Sequence, residues 1–270
     1  MGKENAGPEN PAGRESGGPG MKALVTGASS GIGRDTAREL SRRGCDLILA
    51  ARREDRLREL QKELKTDVRI IRANLRSQEA CLELYRQVKN ENVDILINDA
   101  GFGLFGAFDK TDLGREMEMI DVNIRAVHIL TKLFLKDFKE RDSGYILNVA
   151  SSAAFLPGPL LSTYYASKAY VLRLTEAVSE ELRRAGSRVY IGALCPGPVA
   201  TEFDRTANVR FSVKNLPSRR VAEYAIRGMF ARRRVIVPGA AMKAALFLPR
   251  LIPSGLLLRI SYRLQKRKDP

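Results

Sequence analysis

Apolar residues gather along the chain in seven short runs, at 23–25, 46–50, 68–72, 95–97, 144–149, 189–194 and 235–237. Runs this short and mostly apolar suit strands buried on both faces of a parallel sheet. The intervals between them read as helices, the longest over 111–139 and 164–184. Regular alternation of strand and helix predicts an α/β fold. The expected architecture is a doubly wound, seven-stranded parallel sheet with right-handed crossovers and helices on both faces.

With 270 residues and 44% hydrophobic content, the chain can bury one large core, so a single domain is expected over 21–239. Residues 1–20 are rich in Gly, Pro, Glu and Asn and hold almost nothing to bury, which predicts disorder. Met21 stands immediately before the first strand and is a candidate natural start, with 1–20 either an upstream extension or an added set of residues. Residues 240–270 read as a basic, apolar extension of the same domain.

Cys45, Cys81 and Cys195 are far apart and form no C-x-x-C or His/Cys cluster, so neither a disulfide framework nor a metal site is indicated. No early stretch has the basic start and apolar core of a secretory signal, which makes the cytoplasm the expected compartment.

Chemistry enters with two motifs. Thr26-Gly27-Ala28-Ser29-Ser30-Gly31-Ile32-Gly33 follows the first apolar run and precedes a helical stretch. Glycines there allow a tight turn and close approach of a ligand, while free N–H groups at a helix start attract a pyrophosphate. Downstream, Tyr164 and Lys168 are spaced Tyr-x-x-x-Lys, with Ser151 thirteen residues before Tyr164. On a helix that spacing stacks phenol and ammonium one turn apart. An adjacent cation favours phenolate, so the phenol pKa is expected to fall below its usual value near 10.

Together these motifs resemble the short-chain dehydrogenases/reductases, whose glycine motif is Thr-Gly-x-x-x-Gly-x-Gly and whose active site is Ser with Tyr-x-x-x-Lys. The resemblance runs from about Met21 to Gly239 and implies a Rossmann-type fold. Asn98-Asp99-Ala100-Gly101 stands where Asn-Asn-Ala-Gly is usual, followed by Asn123 and then Pro196-Gly197 ahead of Val199 and Thr201. By resemblance, Gly27, Ser29, Ser30, Gly31, Ile32 and Gly33 cradle a dinucleotide, and Asn74 and Leu75 meet its adenine. Asn98, Ala100 and Gly101 line its centre, while Pro196, Gly197, Val199 and Thr201 meet its nicotinamide end. Asp99 departs from the family pattern.

The resemblance also implies the reaction. Tyr164 gives a proton to a carbonyl oxygen as hydride reaches the carbon, Ser151 holds that oxygen, and Lys168 tunes Tyr164 and holds the ribose. Asn123 positions a water that links Lys168 to solvent. The long helices commonly pair in this family, so a homodimer or homotetramer is expected.

Cofactor choice is legible in Leu49-Ala50-Ala51-Arg52-Arg53, where Ala51 stands at the position of the acidic residue that receives a ribose 2′-hydroxyl. Without that carboxylate, Arg52 can grip a 2′-phosphate, which favours NADP(H) over NAD(H). The plainer alternative is that Arg52 and Arg53 belong to a solvated charge run ending at Arg58.

Gly27-Ala28-Ser29-Ser30-Gly31 also matches the Gly-x-Ser-x-Gly elbow of serine hydrolases, but His128 is the only histidine and lies within an apolar helical stretch. A dinucleotide sensor without turnover would have no need of Ser151, Tyr164 and Lys168. Phe102, Leu104, Phe105, Phe108, Phe155, Leu156, Leu160, Phe203 and Phe211 fall on loops near the expected site and favour a greasy ketone, aldehyde or secondary alcohol. Steroid-like, fatty-acyl and aryl ketones are candidates. Residues 198–217 read as a mobile flap over that substrate.

Net charge is +15. Basic residues concentrate in 205–234 and in the tail, at Arg259, Arg263, Lys266, Arg267 and Lys268. Such a surface can meet nucleic acid, an anionic membrane or an acidic substrate, and no nucleic-acid-binding module is visible. Within 240–264, Pro249, Arg250 and Pro253 interrupt any membrane-spanning run. Two readings of that stretch stand: a helix covering the pocket or packing on a partner subunit, and an interfacial membrane anchor.

Overall fold

In the computed structural model of the protein, residues 20–202, 216–247 and 252–266 are described. The expected disorder of 1–20 and the expected flap with Phe203 and Phe211 lie wholly or mainly outside these residues.

Strand β1 (Lys22–Thr26) leads into helix α1 (Gly31–Arg42), followed by β2 (Asp46–Ala51), α2 (Glu54–Glu63), β3 (Val68–Arg72) and α3 (Gln78–Val88). After β4 (Ile95–Asn98), α4 (Leu113–Ile120) passes through a π-helical turn (Asp121–Ala126) into α5 (Val127–Glu140). Then come β5 (Tyr145–Val149), a 3₁₀ turn (Ser152–Phe155), α6 (Ser162–Arg184) and β6 (Tyr190–Leu194). A short strand pair, β7 (Val199–Ala200) and β8 (Leu216–Pro217), precedes α7 (Ser218–Phe230), β9 (Val235–Ile236), α8 (Ala240–Phe247) and α9 (Ser254–Lys266).

The main sheet has seven strands in the order β3-β2-β1-β4-β5-β6-β9, and each strand pairs with its neighbours in parallel. All seven predicted strands are present, with each end in place or displaced by one residue. Alternation along each strand divides the core: Ala23, Val25, Leu47 and Leu49 face one helical layer, Leu24, Ile48, Leu96 and Ile146 the other. Each fully buried Leu or Ile contributes about 1.5–3 kcal/mol, so hydrophobicity on both faces fixes the sheet between its helices.

Register aligns the strand ends. Thr26 lies opposite Ala50 and Asn98, Asn98 opposite Asn148, and Val149 opposite Leu194. The loops leaving these ends therefore converge on one edge, at the β1/β4 point where strand order reverses and open α/β sheets bind ligands.

The predicted helix over 111–139 contains the π-helical turn, and the helix predicted to start at 164 begins at Ser162. The β7–β8 pair was not foreseen. The 240–264 stretch divides into α8 and α9, and among the described residues no helix is long and apolar enough to cross a membrane.

Candidate active site

Thr26 locks two loops together at the end of β1. Its hydroxyl donates to the Ile97 carbonyl at 3.2 Å and accepts the N–H groups of Asp99 and Ala100 at 3.1 and 3.2 Å. Gly27 follows at φ 71°, where a Cβ would stand 2.8 Å from the Ala100 nitrogen, so the turn has room for glycine alone. Ser30 precedes α1 without capping it through its side chain. The first N–H groups of that helix are thus left to a ligand, and the helix dipole favours an anionic one.

Above these loops lies a cavity of about 360 Å³, within the usual range for a small-molecule site. Of the residues singled out from the sequence, Gly27, Ser29, Ser30, Gly31, Ile32, Arg52, Asn74, Leu75, Ala100, Gly101, Ser151, Tyr164, Lys168, Pro196, Gly197, Val199 and Thr201 line it. Three do not. Gly33 serves packing, since a Cβ there would meet Asp99 Oδ2 at 2.5 Å and the Gly27 carbonyl oxygen at 2.7 Å. Asn98 is buried behind the wall, donating to Asn148 Oδ1 at 2.8 Å and to Thr131 Oγ1 at 3.2 Å.

Asn123, fully buried in the π-helical turn, holds the loop after β4. Its Oδ1 accepts the Phe102 N–H at 3.1 Å, and its Nδ2 donates to the Phe102 carbonyl at 2.9 Å and to Ser167 Oγ at 3.0 Å. The side chain is committed to a clamp between the Gly101–Phe102 segment and α6, so its observed role is positioning.

Ser151, at the end of β5, caps the 3₁₀ turn by accepting the Ala153 N–H at 3.1 Å and hydrogen-bonds the Tyr164 phenol. Tyr164 and Lys168 occupy the first turns of α6, where Lys168 is buried and its Nζ donates to the Val149 carbonyl at 2.8 Å. Here one sequence expectation is corrected. Burial pushes the Tyr164 phenol up to about 12 despite the Ser151 hydrogen bond. The ammonium lies 6.0 Å from the phenol ring centre and is itself driven down to about 8 by burial, against the pull of Asp99. Desolvation disfavours both charged forms more than the four-residue spacing favours them. The phenol therefore holds its proton at neutral pH.

Asp99 lines the same cavity, raised to about 7 by burial, with the Lys168 charge and the Gly33 N–H pulling it back down.

At the opposite end of the cavity the cations gather. Arg52 is exposed and lowered by burial and by Arg76, Arg53 and Arg115 around it. The Glu118 carboxylate is shared between Arg76 and Arg115 at 2.7 and 2.6 Å, which leaves the corner net positive. Arg53, which sequence reasoning did not place at the site, reaches across to the glycine turn, donating to Ser30 Oγ at 2.9 Å and to Ser29 Oγ at 3.2 Å. Glu202 bridges Arg53 at 2.7 Å and Arg56 at 2.5 Å. Only the repeated arginines could have signalled this cluster, and Glu202 lies 149 residues from Arg53 in sequence.

The substrate-side residues separate. Phe102 is buried and lines the cavity, whereas Phe105 packs with Leu161, Tyr164 and Tyr165. Phe155 belongs to the core and Phe108 is exposed. Tyr165, read from sequence as a structural neighbour, also lines the cavity and accepts a hydrogen bond from Gln265 of α9. The hydrolase alternative fails: His128 is exposed on α5, hydrogen-bonded to the Tyr170 hydroxyl at 2.7 Å, and is not among the cavity residues. Among the described residues no group of His, Cys, Asp or Glu could hold a metal ion.

The glycine cradle, the uncapped helix start and the cationic corner fit a dinucleotide. Similarity points the same way. The human very-long-chain 3-oxoacyl-CoA reductase is 32% identical over 217 residues, covering 76% of this chain and 68% of that protein. A short-chain dehydrogenase from Sphingobium yanoikuyae, solved with NADPH, superposes with a TM-score of 0.77 at 30% identity, covering 86% of this chain and 94% of that one. One from Burkholderia phymatum, solved with NAD, gives 0.78 at 26% identity, covering 85% and 92%. The family model described as short chain dehydrogenase matches residues 21–210. By that match the chain belongs to the short-chain dehydrogenase family, oxidoreductases that act between alcohol and carbonyl groups with a nicotinamide cofactor.

Proposed function

We propose that the protein is an NADP(H)-dependent reductase of apolar ketones or aldehydes, with Tyr164 as proton donor. The observation that carries this reading is the Tyr164 phenol, hydrogen-bonded to Ser151 on the cavity wall beside buried Lys168. When bound, the dinucleotide supplies the hydride. Ser151 and Tyr164 then orient the carbonyl oxygen by hydrogen bonds, and the Tyr164 O–H transfers its proton as negative charge develops there. Lys168, held on the Val149 carbonyl, supplies positive charge that stabilises the transient phenolate. Oxidation runs these steps backwards.

Preference for NADP(H) is supported by Ala51 at the end of β2 and by Arg52, which lines the cavity with Arg53, Arg76 and Arg115 around it. The 2′-phosphate would meet Arg52, with Arg53 and the Ser29 and Ser30 hydroxyls beside it. Buried Phe102 and the cluster of Phe105, Leu161 and Tyr165 favour an apolar substrate. Leu113 and Met117 of α4 and Tyr170 of α6 are exposed, which supports pairing of those helices in a homodimer or homotetramer.

A panel of apolar ketones followed by NADPH absorbance tests the reaction and the substrate class together. Tyr164→Phe is expected to retain NADPH binding by fluorescence and to lower kcat by about 10²–10⁴-fold. Turnover within a few-fold of wild type would overturn the mechanism.

A further inference from the structure

Helix α9 is amphipathic the wrong way round for packing on its own protein. Ser261 and Gln265 are buried, and Gln265 donates to the Tyr165 hydroxyl at the cavity wall. The large side chains turn outward instead: Leu256 is 52% exposed and Leu264 53%, with Ile260 also exposed between them. Their four-residue spacing makes one stripe along the helix. Arg259 and Arg263, also exposed, form the adjoining stripe, with exposed Lys266 in the last turn. From 240 to 266 the sequence carries five cations and no carboxylate.

We infer that the outer face of α9 docks on an anionic lipid surface. An apolar stripe bordered by Arg and Lys is what an interfacial helix presents: the aliphatic side chains enter the acyl boundary while the cations meet lipid phosphates. A second copy is a poor occupant, because an isologous contact would set Arg259, Arg263 and Lys266 against themselves with no carboxylate on that segment to pair them. A specific protein partner would need a shaped recess for the Leu and Ile side chains, whereas lipid accepts a convex ridge as it stands. Because the inner face of α9 holds Tyr165, docking brings the wall of the active-site cavity close to the bilayer. This inference rests on the surface of α9 and not on the chemistry proposed for the cavity.

The test uses the full chain and reads binding, not turnover. Sedimentation with vesicles of phosphatidylcholine is compared with vesicles containing about one-third phosphatidylglycerol. Strong recovery with the anionic vesicles alone, falling as salt rises, is expected. Arg259→Gln/Arg263→Gln is expected to weaken that binding about thirtyfold, and Leu256→Gln/Ile260→Gln/Leu264→Gln roughly a hundredfold. All five positions are exposed, so both variants should melt as wild type does, and the salt titration of the wild type needs no variant. Equal recovery with neutral and anionic vesicles, or none with either, overturns the inference. So does a light-scattering mass that halves in the leucine variant, which would assign the face to a second copy.

Discussion

Asp99 and Lys168 share a pocket that is costly for both of their charges. Burial raises the Asp99 carboxyl from 3.8 to about 7, so its contribution to stability is full below pH 3.8 and lost as pH rises through 7. Burial lowers Lys168 from 10.5 to about 8, so its contribution is full above pH 10.5 and lost as pH falls through 8. Near pH 8 both costs are felt, partly offset by mutual attraction. Asp99→Asn removes the carboxylate and also the attraction that holds the Lys168 pKa up. Two outcomes are expected: a melting temperature at or above wild type at pH 8, with the difference shrinking towards pH 4, and an alkaline limb of kcat/KM displaced to lower pH. A limb that stays in place would show that Lys168 is not tuned from Asp99. The sequence made Ser151, Tyr164 and Lys168 legible because their spacing is fixed by one strand end and one helix. It gave the wrong sign for the Tyr164 shift, since spacing reports a neighbouring charge but not how far water has been removed from both.

Strands and helices were legible to the extent that hydrophobic period determines them. The apolar runs at 46–50 and 95–97 are too short for helices of usual length and read as buried strands, and their ends are set within one residue by the polar residues beside them. The π-helical turn was not legible, because Asn123 follows Val122 and precedes Ile124 in a pattern that an ordinary helix satisfies equally well. Its cause is tertiary: the Asn123 side chain bonds both main-chain groups of Phe102 and the Ser167 hydroxyl. Asn98 was misread in a similar way, as a wall residue instead of a staple. It belongs to a buried polar chain in which Asn148 Oδ1 accepts from Asn98 and Thr131, and Asn148 Nδ2 donates to Thr175 Oγ1 at 3.0 Å. That chain ties β4 and β5 to α5 and α6 directly behind the site. Asn148→Leu would remove three buried hydrogen bonds at once, those to the Asn98 amide and to the Thr131 and Thr175 hydroxyls, so a loss of about 2–4 kcal/mol is expected, measured by urea denaturation. A change within about 0.5 kcal/mol would mean that the strands hold their places without the staple.

For the whole molecule, the cavity sits where the ends of β1, β2, β4, β5 and β6 converge, so a dinucleotide spanning it would contact loops from most of the sheet. Binding there should add to global stability instead of stiffening one loop. At a hundred times its Kd a ligand adds about 2.7 kcal/mol, and in a domain of this size each kcal/mol is worth about 2–4 °C in Tm. Saturating NADPH is therefore expected to raise the Tm by roughly 5–10 °C, and NADH at the same concentration by much less. The difference would come from one corner, where Arg52 stands among Arg53, Arg76 and Arg115 on a chain of net charge +15. Screening weakens interactions between exposed charges over about 8–10 Å, so the NADPH advantage should shrink as salt rises while the smaller NADH shift changes little. Arg52→Ala should bring the two shifts together. Equal shifts in the wild type, or an NADPH advantage that Arg52→Ala leaves intact, would assign the cationic corner to Glu202 and Glu118 alone and remove the case for a 2′-phosphate there.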